Sequence, residues 1–287
     1  MGTPILVTGA TGTVGTHLVR ELRRADRPVR IVTRHPEKIS DRRDAAIAVV
    51  TGDLADPEVT RRAVADCERI FLLTGPDPRQ HDLQAGVVAA AREGGVRHIV
   101  KLSALGARPD SPMNLAREHA RTEALIRESG MDWTFLHPHA FMQNLFAQIP
   151  AIKRESTLYA PTGEGSMAMI DARDVAAAAA AVLCGDGHAG RTYFLTGPEA
   201  ISMAEAAVIL GDVLEREIRC RMVSPEAGRE AMVSMGMPAW LADDLTVLNR
   251  FFREGGGARV SGDGPALMGR AATPFARFAD DHRAMFA

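Results

Sequence analysis

Cysteine is scarce in this chain. The three in 287 residues, Cys67, Cys184 and Cys220, lie far apart and form no CxxC pair and no zinc-ligand spacing. A disulfide framework and a metal centre are therefore not expected, and the thiols read as reduced and mostly buried. Long apolar runs are missing too. The longest, Val175–Cys184, is mostly alanine and about half a membrane span of ~20 residues. The opening run Pro4–Val7 is too short for a secretory h-region and has no basic flank, which points to a cytoplasmic protein. There is no excess of positive charge: Lys plus Arg is 34, Asp plus Glu 36, and the net charge −2. That balance leaves no footprint for nucleic acid or an anionic membrane, so the expected partner is a small molecule. No internal repeat at solenoid period is present.

What is there is ordinary globular composition, 46% hydrophobic and 24% charged, on a chain long enough to bury most of its apolar surface. The first half alternates short apolar β runs with helical periods. The β runs are Ile5–Thr8, Val29–Thr33, Ala46–Thr51, Arg69–Leu73, His98–Leu102 and Trp133–Leu136. Nearly continuous apolar runs of this kind belong to strands covered on both faces. Between them, Val14, Leu18, Leu22 and Ala25 form one helical stripe, and Leu83, Val87, Ala90 and Ala91 another. Repeated βα units predict an α/β fold with a Rossmann-like doubly wound parallel sheet.

After Pro138 the rhythm weakens. Pro150, Pro161, Gly163 and Gly165 mark a loop-rich region. An alanine-rich helix follows at about Asp174–Leu183, then a strand at Thr192–Thr196, a helix at Ala204–Leu214, a strand at Ile218–Val223, a helix at Pro238–Phe252 and a loop at Gly255–Pro265. The expected division is a nucleotide lobe over residues 1–145, with helix 172–185 packing back on it, and a smaller α/β lobe over 146–287.

The strongest local signal is Thr8-Gly9-Ala10-Thr11-Gly12-Thr13-Val14-Gly15, between the first strand and the first helix. Gly9 permits a tight turn, Gly12 lets backbone approach a pyrophosphate, and Gly15 lets the helix pack on the strand. The helix start, with Thr11, Thr13 and Val14, then offers N–H groups and a positive dipole end to phosphate. The second strand ends in Thr33-Arg34, roughly 20 residues on, where an acid would select the ribose of NAD. A guanidinium there suits a 2′-phosphate, and Lys38 adds charge one turn later. The expected cofactor is therefore NADP(H), the alternative for Arg34 being a solvated strand exit. At the third strand end, Asp53 either accepts from the adenine amino group or caps a helix beside Asp56 and Pro57; Leu54 follows it. Leu73, Thr74 and Gly75 end the fourth strand on the cofactor side.

Together with Trp133-Thr134-Phe135-Leu136-His137-Pro138-His139-Ala140-Phe141-Met142-Gln143-Asn144 and Asp171-Ala172-Arg173-Asp174-Val175-Ala176, these segments resemble the NmrA-like group of atypical short-chain dehydrogenase/reductases. Within that group the chain is most similar to the NAD(P)H-dependent quinone or azo-dye reductases. The resemblance covers nearly the whole chain, Phe275–Phe286 included. It implies a Rossmann lobe, a small substrate lobe and a cleft between them.

Typical relatives carry a Ser, then Tyr-x-x-x-Lys on a helix, where the ammonium lowers the phenol pKa for proton transfer. Ser103 matches the Ser. Leu115 stands in the Tyr position, His119 in the Lys position, and Glu123 one further i+4 step along. Leucine donates no proton, so alcohol dehydrogenase chemistry is not implied; His-x-x-x-Glu fits the NmrA-like pattern. His119 either contacts the nicotinamide ribose in place of Lys or pairs with Glu123. Ser103 either binds a substrate oxygen or caps its strand. His137 and His139 are candidate proton donors. The resemblance places Pro138, His139 and Phe141 near the nicotinamide, and Phe141, Met142 and Asn144 are candidate acceptor contacts, with inter-lobe core as the alternative for Phe141 and Met142. Lys101 reads as solvated or salt-bridged.

Hydride from a nicotinamide to a flat electron-poor acceptor, quinone-like or azo-like, needs positioning more than acid catalysis. The expected function is such a reductase, as a monomer or homodimer. The alternative is a non-catalytic NADP(H)-sensing regulator of the NmrA type. Double-bond reduction of the isoflavone-reductase kind would need a proton donor not identified in the sequence.

Overall fold

The computed structural model describes residues 2–42 and 46–287, and for 40–42 the backbone only. The chain divides into two compact units. The first comprises Met1–Ser111, Ala116–Pro138 and Ala172–Phe194; the second comprises Pro112–Leu115, His139–Asp171 and Leu195–Ala287. The break after Pro138, against the expected 145, has a physical cause. Phe141 bridges Ile170, and Met142 and Leu145 are buried in the second unit's core.

The first unit runs β1 (Ile5–Val7), α1 (Thr13–Arg24), β2 (Val29–Thr33), β3 (Ile47–Thr51), α2 (Pro57–Val64), β4 (Arg69–Leu72), α3 (Gln80–Glu93), β5 (His98–Leu102), α4 (Asn114–Glu128) and β6 (Asp132–Pro138). The second opens with α5 (Ile149–Glu155) and β7 (Thr157–Ala160); the chain then returns to the first with α6 (Ala172–Cys184) and β8 (Arg191–Leu195). The sheet order is β3-β2-β1-β4-β5-β6-β8. Strands β1 to β6 pair in parallel, with Ile5 opposite both Val29 and Arg69 and Lys101 opposite Phe135. The order reverses between β1 and β4, the point outside whose carboxyl ends such sheets bind ligands. Fully buried strands explain the continuous apolar runs: every residue of β1 and β5 is buried. Helix α6 packs on α1, and its buried Ala176, Ala178 and Ala179 permit the close approach.

The second unit continues with α7 (Met203–Leu214), β9 (Arg219–Met222), α8 (Pro225–Ser234), α9 (Ala239–Arg253), α10 (Asp263–Met268), α11 (Phe275–Asp281) and α12 (Arg283–Phe286). Strands β7 and β9 form a two-stranded parallel sheet, Leu158 opposite Cys220. Its core joins Met142, Leu158, Met167, Met169, Phe252 and Phe275. A capping box starts α7: Ser202 accepts from the Glu205 N–H, and Glu205 accepts from the Ser202 N–H. Strand β7 lies in the stretch read as loop-rich, because four residues flanked by a short helix and a proline show no period. Likewise α10 begins inside the expected Gly255–Pro265 loop. Among the described residues no helix is long and apolar enough to cross a membrane.

Candidate functional site

The glycine turn stands at the sheet's switch point. Thr8 clamps it: its Oγ1 donates to the Leu73 carbonyl at 2.7 Å and accepts from the Leu73 N–H at 2.8 Å. The ends of β1 and β4 are thereby tied at the place where a dinucleotide would lie. Gly9 has φ +64°, a conformation costly for any residue with a side chain. A Cβ on Gly15 would sit 2.1 Å from the Gly9 carbonyl oxygen, so only glycine allows α1 to start this close to β1. Gly12 is the N-cap of α1 and supplies no side-chain cap. Thr11, Gly12 and Thr13 are exposed, while Val14 is buried and anchors the helix. The first turn therefore presents backbone N–H groups and the positive dipole end outward, which is what a phosphate needs.

Arg34 leaves β2 exposed, and its guanidinium lies 3.4 Å from Asp53 Oδ2. Asp53 Oδ1 accepts from the Ala55 N–H at 2.9 Å. The helix cap is Asp56, which accepts from the Glu58 N–H at 2.8 Å with Pro57 in the first turn. The capping alternative for Asp53 is thus corrected: Asp53 holds a turn and faces Arg34. Lys38 is exposed, and Leu54 is half-buried with its carbonyl accepting from Thr60 Oγ1 at 3.1 Å. At the end of β4, Thr74 Oγ1 accepts from Gln84 Nε2 at 2.8 Å, and Gly75 has open space around it.

Next to this edge lies a polar cluster that the sequence reading did not assemble. Ser103, just past β5, donates to Glu123 Oε1 at 2.5 Å. His137 Nε2 reaches the same oxygen at 2.7 Å, and Arg127 donates to Oε2 at 3.0 Å. Burial opposes the Glu123 carboxylate, but the hydrogen bonds from His137 and Ser103 outweigh it and hold its pKa below the usual carboxylate value. Lys101 is fully buried, which corrects the solvated or salt-bridged reading. Its Nζ donates to Gln84 Oε1 at 2.8 Å and to the Leu102 carbonyl at 3.4 Å, and lies 3.0 Å from His119 Nδ1. Burial pushes its pKa down to about 7, with Glu123 pulling the other way. His119 is also buried and is not paired with Glu123; the Gln80 amide nitrogen lies 3.2 and 3.3 Å from its two ring nitrogens. Burial first, then the charges of Lys101 and His137, keep His119 neutral.

Gln80, Gln84, Lys101, Glu123 and His137 are the functional candidates that the sequence reading passed over or undervalued. A signal existed for two of them: Gln80 and Gln84 share the α3 face of Val87 and Ala91 at i, i+4, i+7 and i+11, a polar pair on a core stripe.

The remaining candidates belong to the second unit, apart from Pro138, whose carbonyl accepts from the Leu105 N–H at 3.2 Å. His139 is buried, stacks on Phe252 at 5.1 Å, and its Nδ1 accepts from the Ala140 N–H at 2.8 Å. Burial pushes its pKa down to about 4. Phe141 is half-buried and Asn144 exposed. Met142 is buried in the core, with its N–H on the Ile170 carbonyl at 2.9 Å, a packing position rather than an open wall. Among the described residues no group of three or more His, Cys, Asp or Glu is placed to hold a metal.

The turn passes the test of fit for a dinucleotide: an uncapped, exposed helix start at a switch point, with glycine where a Cβ would close the turn. Comparisons with known proteins agree. Residues 9–185 match the NAD(P)H-binding family. The chain is 37% identical over 282 residues to the NAD(P)H azoreductase of Xenophilus azovorans, spanning 98% of this chain and 99% of that one. It is 38% identical over 284 residues to the (4-alkanoyl-5-oxo-2,5-dihydrofuran-3-yl)methyl phosphate reductase of Streptomyces griseus subsp. griseus, with 99% of each chain covered. The NADPH complex of an NADPH-dependent quinone oxidoreductase from Escherichia coli superposes with a TM-score of 0.88 at 28% identity, covering 96% of this chain and 99% of that one. The chain belongs to the NAD(P)H-binding, NmrA-like family of NAD(P)H-dependent oxidoreductases.

Proposed function

We propose that the protein uses NADPH to reduce a flat, electron-poor acceptor, quinone-like or azo-like, without a Tyr/Lys acid pair. The observation that carries this reading is the fate of the usual proton donors. Leu115 replaces the phenol, and the Ser103 hydroxyl is committed to Glu123. The two tyrosines, Tyr159 and Tyr193, hydrogen-bond Glu155 and His188 instead. An acceptor whose reduced form is a stabilised anion takes its proton from water, so it tolerates that loss.

When bound, the reduced nicotinamide supplies the hydride. The chain's own residues do the rest. The α1 start and the Gly9–Gly15 turn, with Thr11, Gly12, Thr13 and Val14, hold the pyrophosphate through backbone N–H groups. Arg34 and Lys38 take the 2′-phosphate, and Asp53 and Leu54 border the adenine. Leu73, Thr74, Gly75, Ser103, His119 and Pro138 line the path to the nicotinamide. Phe141 and Asn144 contact the acceptor, and buried His139 shapes the segment that carries them. The Streptomyces relative is, by its name, a reductase of a conjugated lactone phosphate.

NADPH oxidation with a panel of quinones, azo dyes and conjugated lactones tests the reading. Turnover with at least one acceptor class, faster with NADPH than with NADH, is the expected result. Tight nucleotide binding with no turnover across the panel overturns it in favour of an NADP(H) sensor.

A further inference from the structure

We propose that Lys101 is a positioning residue that fixes the tautomer of His119, leaving Nδ1 unprotonated and placing the ring's single proton on Nε2. In its charged form, which prevails below about pH 7, Lys101 has three donors and no acceptor. Around Lys101 Nζ stand three partners: Gln84 Oε1 at 2.8 Å, the Leu102 carbonyl at 3.4 Å and His119 Nδ1 at 3.0 Å. The first two are oxygens that only accept. The Gln84 orientation is set independently, because its amide nitrogen donates to Thr74 Oγ1 at 2.8 Å. The third donor therefore meets His119, and a ring nitrogen that faces N–H across 3.0 Å must offer its lone pair.

The imidazole has no route to a second proton. Lys101 on β5, Glu123 on α4 and His137 on β6 are the ionisable groups whose charges bear on the pair. Glu123 already receives Ser103, His137 and Arg127, so its carboxylate is committed away from His119. Protonating His119 would put two positive charges 3.0 Å apart in one buried volume. The Gln80 amide nitrogen lies 3.2 and 3.3 Å from the two ring nitrogens, but it is itself a donor and takes no proton from Nε2. Strand β5 thus supplies, beside His119, an ammonium that helix α4, which holds no lysine, does not.

The consequence rests on the reductase reading: a neutral ring with a fixed Nε2–H is a one-way donor for a nicotinamide-ribose hydroxyl. The tautomer itself does not rest on it. Nitrogen-15 correlation spectra of the histidine rings at pH 6, where Lys101 is charged and His119 neutral, with His119 assigned by H119Q, read the tautomer directly in the protein without nucleotide. The Nε2–H form is expected in the wild type, and K101M should shift the ring toward a mixture containing Nδ1–H, with K101Q intermediate. Nδ1–H in the wild type overturns the proposal without any variant, and so does an unchanged tautomer in a folded K101M. NADPH titration adds a second readout. K101M should raise Kd about tenfold, and K101M/H119Q should bind no worse than H119Q alone; additive losses overturn the coupling. A wild type that turns over no acceptor yet shows the Nε2–H form removes the reductase reading and leaves the positioning role standing.

Discussion

The glycine turn after β1 and the polar cluster after β5 stand at the carboxyl edge of the same sheet, two strands apart, and are built in opposite ways. The turn is made of backbone. It presents N–H donors at an exposed, uncapped helix start, and its side chains matter mainly by being absent. The cluster is made of side chains. Ser103, Lys101, His119, Glu123, Gln80 and Gln84 are all buried, and each is held by another member of the group or by a residue beside it. A backbone site announces itself by local spacing, because the glycines that shape it are neighbours in sequence. A side-chain network draws its residues from several strands and helices, and only the fold brings them together.

The sharpest way to break this contrast is to put a side chain where the turn forbids one. Gly15→Ala forces a Cβ to within 2.1 Å of the Gly9 carbonyl oxygen; backbone must move, so a loss of about 3 kcal/mol and of nucleotide binding is expected. Urea unfolding and calorimetric titration check it. Gly75→Ala is the matched control. Nothing stands within 4 Å of its added Cβ, so stability should stay within about 0.5 kcal/mol. Equal effects at the two positions would mean that the turn is not shaped by exclusion.

Arg34 sharpens the comparison from the other side, as an exposed side chain whose partner is local. Its companion is Asp53 at 3.4 Å across solvent, a pair of small energetic weight, so the guanidinium is available for a 2′-phosphate. Arg34→Asp should lower kcat/KM for NADPH about a hundredfold while leaving NADH within about threefold. Parallel losses with both nucleotides would detach Arg34 from cofactor choice.

How much was legible follows the same division. The sheet, with strands close to their expected bounds, came from continuous apolar runs, since burial on both faces leaves that mark whatever the partners. Gly9, Gly12 and Gly15 were legible because their roles are local. Lys101 reads as solvated or salt-bridged because a charged residue in a strand usually is one or the other; its partners in the fold are Gln84 from α3 and His119 from α4, 17 and 18 residues away. For Met142 the sequence leaves acceptor wall and core both open, because the core that takes it is assembled from Met167, Met169 and Phe252, distant in sequence. Strand β7 escaped because its pairing with β9 joins segments about 60 residues apart, Leu158 with Cys220.

The buried cluster makes its own demand on pH. Lys101 titrates at about 7 in the fold against an ordinary 10.5. Between those values the unfolded chain holds more protons, so stability rises as pH climbs from about 7 toward 10.5, and the cost of the buried charge is fully present below 7. His119, held below its ordinary 6.5, adds a loss of stability as pH falls through that value, because the unfolded ring takes a proton that the folded ring refuses. K101M should remove the alkaline rise, a change of roughly 3.5 kcal/mol between pH 7 and 10. Urea midpoints across that range measure it, and an identical slope in K101M would mean that Lys101 keeps its charge through the window. A Cβ on Gly75 meets nothing within 4 Å, so Gly75→Ala should keep the wild-type profile.

The smallest effect is expected where neither construction applies. Phe141 is half-buried, its backbone is tied to Ile170 through an isolated bridge, and it starts the 3-10 segment Met142–Gln148. That anchorage comes from main chain, so removing the ring should leave the segment in place and cost little stability. As an acceptor contact the ring contributes apolar area to a planar molecule, worth about 1 kcal/mol. Phe141→Ala should therefore raise the acceptor KM about fivefold and leave the NADPH Kd unchanged. Steady-state kinetics with the best acceptor of the panel separate the two terms. An altered NADPH Kd with unchanged acceptor KM would move Phe141 to the cofactor, and no change in either would make it a packing residue like its neighbour Met142.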